Sequence, residues 1–276
     1  MYSRRPRASC SGVGISRSFA PRSDAWAVSA DDLRRQQLTL ADERPEPWRP
    51  QGPSAVAGCF VCFARGGSGP GAAGDLAWAA AAVIRRGLPR LAAVIAGTAG
   101  AAYEPGLLAL REGALLETAM RALPEAPDVA FVDATGRDHP RRCGLALQLG
   151  AVLGLPTVGV THRPLIAAGA WPPDERGAAA PLELEGEVVG CWVRTRRGTR
   201  PLAVHPGWRV EPETAVELVL AHTPRTRTPE PLREARRLAR VARAGTPSAR
   251  HGYRSDDAEA AASAATDSPP GRPGVR

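Results

Sequence analysis

Residues 127–165 hold the groups best placed to do chemistry. A short apolar run, 129–132, ends in Asp133, a glycine turn leads to His139-Pro140-Arg141-Arg142, and a second apolar run follows at 157–160. An acid at the carboxyl end of a buried strand, followed by a basic turn, suits a site that holds a metal ion beside a phosphate. Arginine fits phosphate because its planar fork donates two parallel hydrogen bonds. The plainer alternative has Asp133 capping the next turn and the arginines solvated. The glycine run 66–74 is a turn: a Walker-type phosphate loop needs a lysine, and the chain has none.

Composition bounds the rest. The 276 residues suffice for one large domain or two small ones, and 43% apolar content supports a real core. A net charge of +8 favours a polyanionic partner. All 36 basic residues are arginine, however, and asparagine is missing too, a bias of GC-rich coding that weakens charge as a functional signal. Five scattered cysteines argue against a disulfide framework and for a reducing cytoplasm. No apolar run approaches the ~18 residues of a membrane span. The Arg- and Ser-rich start lacks the apolar core of a secretory signal.

The elements that would position these residues follow from periodicity. Residues 1–25 read as a disordered lead. Asp31 or Asp32 can cap a helix over 33–41. The runs 55–63, 76–86 and 90–98 form a meander of strands, with a helix open as an alternative for the second. Apolar residues at helical spacing over 107–123 predict a helix. A strand at 128–133, a helix over 142–153 and a strand at 157–160 make a parallel unit. Residues 169–181 read as an irregular loop, 188–194 and 201–205 as a hairpin, and 211–220 as a helix opened by Pro212. One domain thus spans 26–222. A basic Arg/Ala/Pro-rich tail, 223–276, is expected to be largely disordered, with a weak helix over 230–243. The order matches an α/β fold of ribonuclease H-like type, a mixed sheet flanked by helices.

Several motifs carry a closer likeness. They are Leu33-Arg34-Arg35-Gln36-Gln37-Leu38, Ala57-Gly58, Tyr103-Glu104-Pro105-Gly106 with Leu110-Arg111-Glu112, Val132-Asp133 with His139-Pro140-Arg141-Arg142, Leu155-Pro156-Thr157-Val158-Gly159-Val160, and Pro206-Gly207 with Arg209-Val210. In order and spacing they resemble endonuclease V, the nuclease family that cuts nucleic acid next to deaminated adenine (inosine). The resemblance implies a DNA-repair hydrolase in which Mg²⁺, held by Glu112 and Asp133 as catalytic acids, activates water. It places Tyr103 as a wedge where the base leaves the stack, and His139, Arg141 and Arg142 near the base and backbone.

Departures fall on the chemistry. Phe60 stands where the family has a metal-binding Asp, His162 where it has a lysine, and Trp208 where it has a histidine. A phenyl ring donates no oxygen, and two-metal hydrolysis needs ligands that bridge both ions. Cys59 and Cys62 do not replace it, because residues three apart on a strand face opposite sides. Three readings stay open: a Mg²⁺-dependent nuclease, a non-catalytic descendant that binds inosine-containing DNA or RNA, and an α/β scaffold that uses the fold for another role. The protein is expected to be a cytoplasmic monomer with no membrane partner.

Overall fold

The computed structural model describes residues 26–66, 69–85 and 87–246. The lead 1–25 and residues 247–276 of the expected tail lie outside the described residues. Ser29 caps the first helix, α1 (Ala30–Asp42), its side chain accepting from the Asp32 amide at 3.1 Å. Asp31 and Asp32, expected as the cap, sit in the first turn instead, where negative charge also favours the helix dipole.

The centre of the molecule is one eight-stranded mixed sheet. The apolar runs expected at its middle are there: β1 (Val56–Phe63) pairs parallel with β4 (Val129–Val132), which pairs parallel with β5 (Thr157–Thr161). The helices α2 (Leu108–Arg121) and α3 (Leu145–Leu153) connect them. On one side the meander continues through β2 (Leu76–Ile84) to β3 (Leu91–Thr98). The alanine run of β2 would favour a helix by itself. It forms a strand because burial between β1 and β3, with helices on both faces, outweighs propensity.

Beyond β5 the sheet runs on through β8 (Leu202–Pro206), β7 (Glu187–Val193) and β6 (Ala179–Leu184). The hairpin expected from β7 and β8 forms, but β6 starts inside the segment expected to be irregular. Its sequence, with Pro181 and alternating exposure, suits an edge strand with little inward signal. The helix α4 (Pro212–Ala221) opens on proline as expected.

The largest difference lies after residue 222. The helix α5 (Glu230–Gly245) is packed rather than trailing: Leu232, Ala235 and Ala239 are fully buried against β1 and β2. Gly58 makes this approach possible. A Cβ there would lie 2.3 Å from the Pro231 carbonyl carbon, so backbone meets backbone and only glycine fits. Along β1, Phe60 and Cys62 share this α5 face, whereas Cys59 and Val61 join the core beneath α2 and α3. The two cysteines therefore face opposite sides, as strand geometry requires. Among the described residues no helix is long and apolar enough to cross a membrane.

Candidate functional site

Parallel strands end together, and the loops after them converge. Asp133 follows β4, and Glu112 projects from the first turns of α2. Both line one small cleft of about 150 Å³ with Cys59 and Phe60. The expected convergence of the two acids is therefore present. Burial, then the neighbouring Asp133 carboxylate, pushes the Glu112 carboxyl up to about 8, so it is mostly protonated at neutral pH. Cys59 stays a thiol for the same reasons, burial first.

Asp133 is already engaged by an arginine. The Arg236 guanidinium of α5 donates to its Oδ2 at 2.8 Å, with both side chains mostly shielded from solvent. The same guanidinium lies 5.1 Å from the centre of the Phe60 ring, and that of Arg240 lies 5.7 Å away. Cations over a ring face are attracted by its quadrupole. Phe60 thus stacks under arginines where an acid was expected by resemblance.

A second, larger pocket of about 240 Å³ adjoins the cleft, sharing Asp133 and Leu108 as walls. Tyr103 stands at its rim, 44% exposed, and His139, Thr161, Arg163 and Leu165 complete it. His139 is buried, and its Nε2 lies 3.1 Å from the Gly106 carbonyl. Its Nδ1 accepts from the Arg141 amide at 3.2 Å, which makes Nε2 the protonated nitrogen. Burial, then Arg141, pulls the His139 pKa down to about 4.

The two arginines of the motif serve as scaffold. Arg141 donates to Gln37 Oε1 at 2.6 Å and to the Gly106 carbonyl at 2.8 Å, tying α1 to the turn behind Tyr103. Arg142, at φ 52°, donates to the Leu184 carbonyl at 3.0 Å and to Glu185 at 2.8 Å, holding the β6–β7 turn.

His162 lies at the end of β5 and accepts from Arg227 at 2.9 Å through Nδ1. Burial, then Arg227 and Arg236, lowers its pKa, so it carries no charge in place of the lysine. Trp208 lines neither cavity. Its carbonyl accepts from the Thr157 amide at the start of β5, and the indole packs with Leu40, Cys143, Leu147 and Ala151, filling space beside α1 and α3.

Sequence reasoning missed Asp138, His205 and Arg236. The fully buried Asp138 accepts the amides of Leu165 (2.6 Å), Ile166 (2.9 Å) and Ala167 (2.8 Å), clamping the loop that walls the pocket. The fully buried His205 places Nδ1 3.8 Å from Asp138 and Nε2 3.0 Å from Thr161 Oγ1. Burial pulls its pKa down to about 4.

Comparison with known proteins decides the family. The endonuclease V family model matches residues 35–237. The chain belongs to the endonuclease V family. An endonuclease V of Nocardia farcinica is 40% identical over 225 residues, covering 80% of this chain and 93% of that one. The crystal structure of the Streptomyces avermitilis endonuclease V is 34% identical, with a TM-score of 0.71 over 82% of this chain and 97% of that chain. A Ciona intestinalis endonuclease V in complex with inosine-containing DNA shares the fold, at 21% identity and a TM-score of 0.63 over 77% of this chain and 96% of that chain.

The Mg²⁺ implied for an endonuclease V does not fit this site. Magnesium needs ionised oxygen ligands in near-octahedral array. Here one of the two carboxylates is bonded to a guanidinium, and a phenyl ring stands at the third position. Among the described residues no group of three or more His, Cys, Asp or Glu could hold an ion.

These shifts give stability a signed pH dependence. His139 and His205 stay neutral in the fold down to about pH 4 but take protons near 6.5 when unfolded, so each removes stability as pH falls through that window. Glu112 acts oppositely: its folded pKa near 8, against 4.5 unfolded, adds stability as pH falls from about 8. Each proton bound differently is worth about 1.4 kcal/mol per pH unit. Urea midpoints taken from about pH 5 to about pH 9 are therefore expected to peak near 6.5, and Glu112→Gln should flatten the alkaline limb. A midpoint that climbs steadily to the alkaline end would contradict this.

Proposed function

We propose that the protein recognises inosine in DNA or RNA, as its family does, but does not cut the strand. The observation that carries this is the contrast across Asp133. On one side the pocket beneath Tyr103 is open and preformed; on the other, Arg236 and Phe60 occupy the hydrolytic centre. The enzyme activity that family membership brings, Mg²⁺-dependent hydrolysis beside inosine in DNA repair, has no set of ligands here to support it.

Recognition by this geometry works as follows. A base taken out of the stack costs a few kcal/mol, least at a deaminated and mispaired site, which itself favours inosine. Tyr103, exposed at the rim, fills the gap the base leaves. His139 and Arg141 fix the Gly106 turn beneath it, so the pocket needs little reordering on binding. Leu165 and Leu108 give apolar walls that exclude water from the base edge. The protein acts in this reading as a cytoplasmic monomer.

Fluorescence anisotropy with matched inosine and adenosine duplexes tests this. The inosine duplex is expected to bind more tightly, Tyr103→Ala to remove most of that preference, and affinity to fall with salt by ~0.9 log units per log salt for each phosphate contact. Equal affinity for the two duplexes would overturn the reading, as would binding that ignores salt.

A further inference from the structure

The buried face of α5 leaves its arginines on the opposite and flanking faces. Arg233, Arg236, Arg237 and Arg240 recur at helical spacing and line an open trough of about 520 Å³. Their situations differ. Arg237 is held by Glu234 at 2.8 Å, and Arg236 by Asp133 at 2.8 Å. Among the described residues Arg233 and Arg240 have no hydrogen-bond or ion-pair partner for their side chains. They stand seven residues apart, about 10 Å along the helix axis.

The trough on α5 is therefore lined by arginines, with no acidic side chain among its walls. Asp133 is matched by Arg236, and Arg240 lies above the same Phe60 ring. A divalent ion entering here would have to displace Arg236 from its carboxylate and would face Arg240 at close range. A phosphate meets the reverse: two unpaired guanidiniums in a trough next to the base pocket, with no free carboxylate toward it. Arginine forks match phosphate oxygens bidentately.

We infer that Arg233 and Arg240 hold a backbone phosphate of the bound nucleic acid, and that Arg236, locked onto Asp133, stands in place of the metal ion, so that binding needs no divalent cation. This rests on the proposed recognition of inosine and adds the backbone contact to it. Arg236 is a positioning residue: through its pair with Asp133 it keeps that carboxylate from repelling the phosphate.

The test uses the full chain and labelled inosine and adenosine oligonucleotides, in EDTA and in Mg²⁺ at matched ionic strength. Affinities are expected to be the same in both buffers. Replacing Arg233→Gln and Arg240→Gln together should weaken both oligonucleotides about equally and lower the salt slope by roughly one to two. The ratio of inosine to adenosine affinity should stay unchanged. Both side chains are on the surface, so an unchanged urea midpoint shows that the variant folds. A requirement for Mg²⁺, or a variant with unaltered affinity and slope, overturns the inference while a retained inosine preference leaves the recognition reading standing. Loss of the preference in the unmodified protein overturns that reading instead.

Discussion

Incubated with inosine-containing duplex and Mg²⁺, the unmodified protein is expected to leave the strand uncut, orders of magnitude slower than an endonuclease V with its acids intact. Removing one electrostatic contact from a hydrolytic centre typically costs ~10²–10³ in rate, and such losses do not simply add. Here the metal itself has no seat. Phe60 supplies no oxygen, and Arg236 holds Asp133. Asp133→Ala should therefore change nothing in a nicking assay. Phe60→Asp combined with Arg236→Ala restores a third carboxylate and frees the second. Calorimetry should then detect Mn²⁺ binding absent from the unmodified chain, with a first trace of nicking. Trp208→His should add nothing to that trace, because its side chain lines neither cavity and packs against α1 and α3. Efficient cutting by the unmodified protein, abolished by Asp133→Ala, would show that another group completes the centre.

Asp138→Ala is expected to be the most damaging single change outside the core. The carboxylate is fully buried and receives the amides of Leu165, Ile166 and Ala167. A buried donor left unpaired costs about 1–3 kcal/mol, and a buried network broken on one side about 3–5. A loss of roughly 3–5 kcal/mol in urea unfolding is expected, near half the stability of a typical domain. The same loop carries Arg163 and Leu165 to the pocket wall, so preference for inosine should fall with it. Asp138→Asn, which keeps one acceptor oxygen, should lie between. A cost below about 1 kcal/mol would mean that water replaces the carboxylate at these amides.

The central strands were legible because β1, β4 and β5 are buried on both faces and read as unbroken apolar runs. The edge strand β6 was not, since alanine, proline and glutamate at half-exposed positions send no such signal. Glu112, Asp133 and the Tyr103 turn came from motif spacing, and the fold places all of them around adjoining cavities. Motif spacing places Arg141 and Arg142 in a turn but does not say whether they point inward to a carbonyl or outward to a phosphate. Nor does it give the neighbours of Trp208, which depend on the register between β8 and β5. Arg236 could not be found at all: it is one arginine among many, on a helix whose inner face is mostly alanine. Only the close contact at Gly58, over 170 positions away in the chain, brings it to Asp133.

That contact also fixes when the protein can become whole during synthesis. The β1 strand leaves the ribosome before α5, and the sheet face that α5 covers, with Cys62 of β1 and Trp78 and Ala80 of β2, has no cover until Ala239 and its neighbours emerge. Pairings of such long range close slowly, because the intervening chain must first surrender its freedom. Until then the nascent chain exposes an apolar sheet face of the kind that invites association with other unfinished chains. The helix that seals it delivers, in the same motion, the Arg236 guanidinium to Asp133, so one docking event both hides the sheet and closes the hydrolytic centre.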